Sequence, residues 1–514
     1  MPQTAAASPV TRPDVLDDRS LLGHPKGLGL LFIVEMWERF SYYGMRAFLE
    51  LYLVNALRWS NQDAAGLYGN YTSLVYLTPL IGGYLADRLI GTRRSLVLGG
   101  FIIALGHFSL AFPSMTMFYV GLALIIVGTG FFKSNAATMV GQVYRRGDAR
   151  RDAGFTVYYM GVNLGAFLGP AICGPLAQRV SWHWGFAMAG IGMVIGLLVY
   201  LLLRDKYLPG IGVNAEGVAA AHAAGAGHAD GRMLVHAVIG AAIGAVAAWG
   251  LGGSLSLYPM LLGAAVGAAI LVTVLGTGGE ERKRVLALFL AAFFVIFFWT
   301  AYEQAGSSMN LFADKHTDMA GIPSSLFQSL NPLMILFLAP VFAGIWGFLG
   351  ARGKEPSTPL KMALGLLLLG VGFVFLVEGG RRADGGVLVS PWWLTLAYLF
   401  HTLGELCLSP VGLSYVSKIA PARYASLLMG AWYLANTIAN KLAGVLAGLT
   451  PMPGEAPAQV GAGLVGTLQR ASQTNGGFFS IFVVISFAGG ALMLLFVPLL
   501  KRLTRSADAP GLAG

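Results

Sequence analysis

The chain has 514 residues, of which 56% are apolar types and only 11% are charged, and its mean hydropathy is +0.68. A soluble domain carries about 25% charged residues, so this chain cannot clothe a globular surface and its main solvent must be lipid. The net charge of +10 would suit a nucleic-acid binder, but the basic residues gather at the ends of apolar spans, which excludes that reading.

Residues 1–26 read as a polar cytoplasmic tail. Pro2, Pro9 and Pro13 interrupt it, and it lacks the charged leader and short apolar core of a cleavable signal. Apolar stretches of about 20 residues mark membrane spans. They fall near 27–57, 63–87, 95–112, 116–144, 153–178, 184–203, 233–250, 255–275, 284–312, 324–350, 360–377, 392–416, 424–449 and 477–500. With the N-terminus placed in the cytoplasm, 24 of the 34 Lys and Arg residues lie on cytoplasmic segments, 6 on external ones and 4 within spans. This is the asymmetry that the positive-inside rule expects, and it predicts a multi-pass protein of the cell (inner) membrane with both termini cytoplasmic.

Two spans stand apart. Residues 205–231, rich in Ala and Gly, read as a flexible cytoplasmic linker. Residues 232–278 then hold two inserted helices that carry no Asp, Glu, Lys or Arg between 233 and 275. Without them, six spans remain on each side. The expected fold is therefore an all-α integral membrane protein: a six-helix bundle over 27–204, the inserted pair, a second six-helix bundle over 279–505, and a tail at 506–514. Two related bundles around a mid-membrane site are a common transporter plan. Gly82–Arg94 ("GGYLADRLIGTRR") and Gly344–Lys354 ("GIWGFLGARGK") form a faint repeat of Gly-rich, basic cytoplasmic turns, which plain positive-inside anchoring would also produce, and the first resembles the loop between helices two and three of the major facilitator superfamily. Cys173 and Cys407 are the only cysteines, which leaves no disulfide framework and no metal-ligand spacing.

The first span carries charges in "EMWERFSYYGMR". At about 100° per residue, Glu35, Glu38, Arg39, Tyr42, Tyr43 and Arg46 occupy one arc, and Ile33, Val34, Phe40, Ala47 and Leu51 lie opposite. Glu35 and Arg39, spaced i, i+4, could merely neutralise each other. That does not account for four charges, because Arg46, two turns on, reads as lacking a local acid. Other spans supply Lys133, Glu303, Glu405 and Lys441. Ionisable groups inside a membrane are costly and usually mark a solute or proton path, so a hydrated polar cavity lined by both bundles is expected. Tyr42, Tyr43, Trp299 and Trp432 share spans with these charges, Tyr76 and Tyr158 lie in other spans, and Asn163, Asn331 and Asn436 add neutral donors and acceptors. His107, His183 and His401 are proton-relay candidates by residue type only.

Taken together, "EMWERFSYYGMRAFL", "GTGFFKSN", "YYMGVNLGA", "FWTAYEQAGSSMNLF", "QSLNPLMI" and "GELCLSPVGLSYVSK" resemble the proton-dependent oligopeptide transporter (POT/PTR) family of the major facilitator superfamily, in its bacterial fourteen-helix form. The resemblance runs from the first span to the last. It implies proton coupling through Glu35, Glu38, Arg39, Lys133 and Glu303, and an outer gate formed by Arg46 and Glu303. It implies that Glu405, beside Asn163 and Asn331, receives a peptide's amino end, and that Arg46 and Lys133 hold its carboxylate. Tyr42, Tyr43, Tyr76, Trp299 and Trp432 would line side-chain pockets, with Tyr158 and Asn436 also lining the substrate site. Two departures are visible: Tyr302 stands where some members carry a second acid beside Glu303, and the second span lacks the histidine of animal members.

A di- or tripeptide is a zwitterion, and cations on one side with an acid on the other match its ends. The expected activity is proton-coupled import of di- and tripeptides by alternating access, in a monomer, with the proton as coupling ion and no other cofactor. Plant relatives carry nitrate, but the intact acids would repel an anion. An intramembrane hydrolase would need a nucleophile or zinc signature, and neither is present. A receptor that does not transport would have no need of an acid–base cluster.

Overall fold

In lipid every backbone N–H and C=O must be satisfied within the protein, so a spanning chain of this composition must be helical. The computed structural model describes residues 13–145, 148, 150–213, 231–252, 257–421, 424–454, 461 and 463–504, and among them are fourteen helices of at least 19 residues and no strand. The first six are α1 (Lys26–Leu51), α2 (Asn61–Leu85), α3 (Thr92–Leu110), α4 (Met115–Gln142), α5 (Arg151–Pro175) and α6 (Trp182–Tyr207). The inserted pair is α7 (Gly231–Gly252) and α8 (Leu257–Leu275). The last six are α9 (Gly279–Tyr302), α10 (Leu330–Ala351), α11 (Thr358–Asp384), α12 (Trp392–Ile419), α13 (Ala425–Ala447) and α14 (Asn475–Thr504). Among the described residues ten helices are long and apolar enough to cross a membrane, and α1 is not among them because its charged stripe interrupts every apolar window. Most of the expected linker and the terminal tail residues 1–12 and 506–514 lie outside the described residues.

The chain forms two compact units. Unit 1 comprises Met1–Leu57, Leu77–Ala226 and Gly321–Leu336, and unit 2 comprises Arg58–Tyr76, Gly227–Ala320 and Phe337–Gly514. The first part of α2 thus belongs with the later helices, and the start of α10 with the earlier ones. In unit 1, α1 packs on α5 and α6, and α3 packs on α4. Leu28, Leu31 and Val34 of α1 share a buried apolar cluster with Ile103, Phe132, Met139, Met193 and Tyr200. The turn motif has a local role there. Arg93 donates to the carbonyls of Arg204 and Leu208 at the end of α6 and pairs with Asp205 at 3.0 Å, a favourable place for a cation. Outside the spans, Arg150 donates to the carbonyls of Leu16, Asp18 and Gly23. Its hydrogen bonds to Asp148 hold that carboxyl down at about 2, so the contact persists at any pH above that value.

In unit 2, α11 packs on α12 and α14, and α9 packs on α13 and α14. The span expected near 284–312 is not one continuous helix. It leaves α geometry at Glu303–Gly306, a 3-10 turn, and resumes at Ser308. Ser307, with φ −127° and ψ −99°, breaks the i→i−4 pattern, and Gly306 before it has low helix propensity.

The inserted helices meet backbone to backbone. A Cβ on Gly244 would lie 1.9 Å from the Gly263 carbonyl oxygen, and one on Gly267 would lie 2.0 Å from that of Gly240, the close approach that small residues permit between helices in lipid. The hairpin also has a polar tie to α2. Ser73 Oγ donates to the Thr437 carbonyl at 2.6 Å, so Tyr258 of α8 supplies the proton for its own 2.5 Å contact with Ser73 Oγ. Tyr258→Phe is expected to lower the thermal midpoint in detergent by an amount corresponding to about 1 kcal/mol, the net worth of one hydrogen bond. A midpoint equal to the wild type's would mean that the hydroxyl contributes nothing.

Candidate functional site

The charged stripe of α1 is buried in unit 1. Glu35, Glu38 and Arg39 are each 3% exposed or less. Arg39 Nε donates to Glu35 Oε1 at 2.9 Å and lies 2.5 Å from Glu38 Oε2. Nε has a single proton, and it points at Glu35, so the Glu38 contact is an ion pair without an aligned hydrogen bond. Tyr158 donates its hydroxyl to Glu35 Oε2 at 2.6 Å. Lys133 of α4 acts electrostatically on Glu38. Two acids thus sit among two cations and a phenol, and the guanidinium serves both acids.

Local sequence explains why Tyr158 reaches Glu35. Gly161, Gly165 and Gly169 recur every four residues on α5 and let it press onto α1. A Cβ at Gly165 would lie 2.1 Å from the Met36 carbonyl oxygen and 2.9 Å from Arg39 Cβ, and one at Gly169 would lie 2.6 Å from the Phe40 oxygen. Any larger side chain would push the two helices apart. Tyr158, one turn before this stripe, is carried to the carboxylate. Its hydroxyl is engaged by Glu35.

Higher on α1, Arg39 lies 5.8 Å from the Tyr42 ring and Arg46 lies 5.9 Å from the Tyr43 ring, distances at which cation–π attraction operates. Arg46 is 6% exposed. Next to it Gln328 donates to the Ala47 carbonyl at 3.0 Å and Ser329 donates to that of Phe167 at 2.9 Å. These bonds fix the segment leading to Asn331 within unit 1. Asn163 gives its amide to the Tyr159 carbonyl one turn earlier.

Helix α1 carries one further acid beyond Arg46. Glu50 stands four residues on, at i, i+4, on the same face, and the charge inventory omitted it. It is fully buried, and among the described residues neither carboxylate oxygen has a hydrogen-bond partner. The spacing alone was enough to find it.

Unit 2 holds Tyr76, Trp299, Glu303, Glu405, Trp432 and Asn436. Glu303 is 4% exposed at the helix break, and Glu405 is 7% exposed midway along α12. Tyr302 donates to Glu405 Oε2 at 2.5 Å. The Trp432 ring packs on α12, so close that a Cβ on Gly412 would lie 2.5 Å from it. Asn436 Oδ1 has no hydrogen-bond partner among the described residues. Lys441 has one, since its ammonium donates to Asn70 Oδ1 at 2.6 Å. His401 lies fully buried one turn before Glu405, with neither ring nitrogen hydrogen-bonded among the described residues, and His107 is buried in the same manner in unit 1. His183 Nδ1 stands 3.4 Å from the Leu110 carbonyl oxygen, beside Tyr52.

Known proteins resemble this chain along most of its length. A family model described as the POT family matches residues 93–462. An uncharacterized transporter, YclF, of Bacillus subtilis (strain 168) is 37% identical over 498 residues, 94% of this chain and 96% of its own. The peptide transporter YePEPT of Yersinia enterocolitica is 36% identical over 465 residues, 84% of this chain and 89% of its own. A crystal structure of peptide transporter POT in complex with sulfate matches with a TM-score of 0.77 at 35% identity, covering 96% of this chain and 99% of that one. A POT family transporter in complex with 5-aminolevulinic acid matches with a TM-score of 0.77 at 30% identity, covering 94% and 98%. With likeness of this extent in both sequence and fold, the chain belongs to the POT family and is a multi-pass membrane transporter rather than an enzyme.

Proposed function

We propose that the protein is a proton-coupled symporter that imports di- and tripeptides across the inner membrane by alternating access, as a monomer with both termini cytoplasmic. The observation that carries this reading is the buried set of Glu35, Glu38, Arg39 and Tyr158. In a set where one guanidinium serves two carboxylates, a proton arriving on either acid redistributes the pairing, and that is how a proton is converted into a structural signal. Relatives described as peptide transporters and di-/tripeptide permeases support the cargo. So does the inventory of charges. Arg46 and Lys133 in unit 1 are cations of the kind a peptide carboxylate needs, and Glu405 in unit 2 is an acid of the kind its ammonium needs. Each proton crossing 100 mV contributes about 2.3 kcal/mol, enough for about a fortyfold concentration ratio.

Uptake of a labelled dipeptide into proteoliposomes tests the reading. The expected result is accumulation of intact dipeptide above the external concentration only when an inward pH gradient is imposed. Uptake indifferent to the gradient would remove the coupling, cleavage of the dipeptide would indicate a hydrolase, and binding without uptake would indicate a receptor.

A further inference from the structure

Glu405 has a role above, but Tyr302, which contacts it, has none, and the geometry of that contact is specific. Tyr302 is the last residue of α9, immediately before the chain leaves α geometry at Glu303. Its ring is fixed on several sides. It stacks on Phe298 at 5.6 Å with an interplanar angle of 19° and meets Trp299 edge-on at 5.1 Å. The His401 ring lies 6.4 Å away and packs in turn at 4.6 Å on Phe373. The hydroxyl of this clamped ring donates to Oε2 of Glu405 at 2.5 Å, and Glu405 itself is 7% exposed.

A carboxylate on a two-methylene stem rotates freely unless something holds it. Here an aromatic stack holds the phenol, and the phenol holds the carboxylate. A hydrogen bond to a carboxylate is of the strong class, so this contact restrains Oε2 of Glu405 before any ligand arrives. Preorganisation of this kind lowers the ordering cost of binding. The donor is also neutral. A second acid at position 302 would double the negative charge beside Glu405, whereas a phenol leaves a single charge, suited to a ligand bearing one ammonium.

We infer that Tyr302 is a specificity-determining positioning residue: it orients Glu405 so that the carboxylate receives one primary ammonium, the free amino end of the peptide. The inference rests on the peptide-transport reading above and adds to it the residue that sets the amino-end preference. Tyr302 acts through Glu405 and need not touch the peptide.

The experiment compares proton-driven uptake of a neutral dipeptide and of its N-acetylated form by the wild type, Tyr302→Phe, Glu405→Gln and the double variant. Tyr302→Phe keeps the ring and its stacking and removes only the donor. It is expected to raise KM for the free dipeptide about tenfold while leaving kcat within about twofold, which corresponds to about 1.4 kcal/mol of binding. Uptake of the acetylated form should be weak in the wild type and no weaker in Tyr302→Phe. In the Glu405→Gln background, the added Tyr302→Phe change should have no further effect on KM. An unchanged KM in the single variant, equal losses for both peptides, or additive losses in the double variant would each overturn the inference. The two failures are distinguishable: a wild type that takes up no dipeptide removes the transport reading and this inference with it, whereas normal wild-type uptake with an indifferent Tyr302→Phe removes the inference alone. A fall in yield or monodispersity of Tyr302→Phe with no change in the KM of the purified fraction would show a merely structural residue.

Discussion

Glu405→Ala is expected to abolish high-affinity peptide binding while leaving insertion and yield at the wild-type level. Truncating one partner of a buried charge contact costs about 2–5 kcal/mol in the complex, so affinity should fall by well over tenfold. Stability should change little. Alanine is the best helix former, and the site lies midway along the 28-residue α12. The measurement is dipeptide binding by calorimetry or by thermal shift in detergent, alongside size-exclusion profiles. A variant that binds dipeptide as tightly as the wild type would end the assignment of the amino end to Glu405, and with it the role given to Tyr302.

The second large effect is on folding. Arg39→Ala would leave Glu35 and Glu38, both nearly inaccessible, without the guanidinium that contacts them at 2.9 and 2.5 Å. Breaking a buried ion pair from one side costs about 3–5 kcal/mol, a large share of the roughly 5–15 kcal/mol that holds a typical protein folded. The variant should therefore express poorly or lose its monodisperse peak. Adding Glu35→Gln and Glu38→Gln to Arg39→Ala removes the uncompensated charge, so the triple variant should recover yield. It should still fail to accumulate peptide against a gradient, because the acids that would take up the proton are gone. Full yield and stability in Arg39→Ala alone would mean that the cluster is not the mutually dependent unit described here. Recovery of gradient-driven uptake in the triple variant would place proton coupling elsewhere.

Much of this molecule was legible before any coordinates. Ten of the long helices among the described residues follow from apolar run length, because lipid forces the backbone to satisfy itself within each segment. The charged stripe of α1 was equally legible, since covalent geometry puts i, i+3, i+4 and i+7 on one face whatever packs against it. The Glu35–Arg39 pair is a product of that spacing. The same spacing puts Glu50 on the face of Arg46, although neither of its carboxylate oxygens is hydrogen-bonded among the described residues. The family was readable as well, because its motifs lie in contiguous stretches.

What the tertiary structure alone decided are the partners that come from far along the chain. Tyr158 meets Glu35 across 123 residues, Tyr302 meets Glu405 across 103, and Lys441 meets Asn70 across 371. Spacing cannot select such pairs, because a helix presents many polar groups and which one meets a carboxylate depends on how closely and in what register two helices dock. On α5 the register is set by glycines that admit the backbone of α1. The break at Glu303 and the division of α2 between two units at Tyr76–Leu77 are likewise outcomes of packing. Hydropathy reports how long a segment stays in lipid, not where its helix yields or which neighbours hold it.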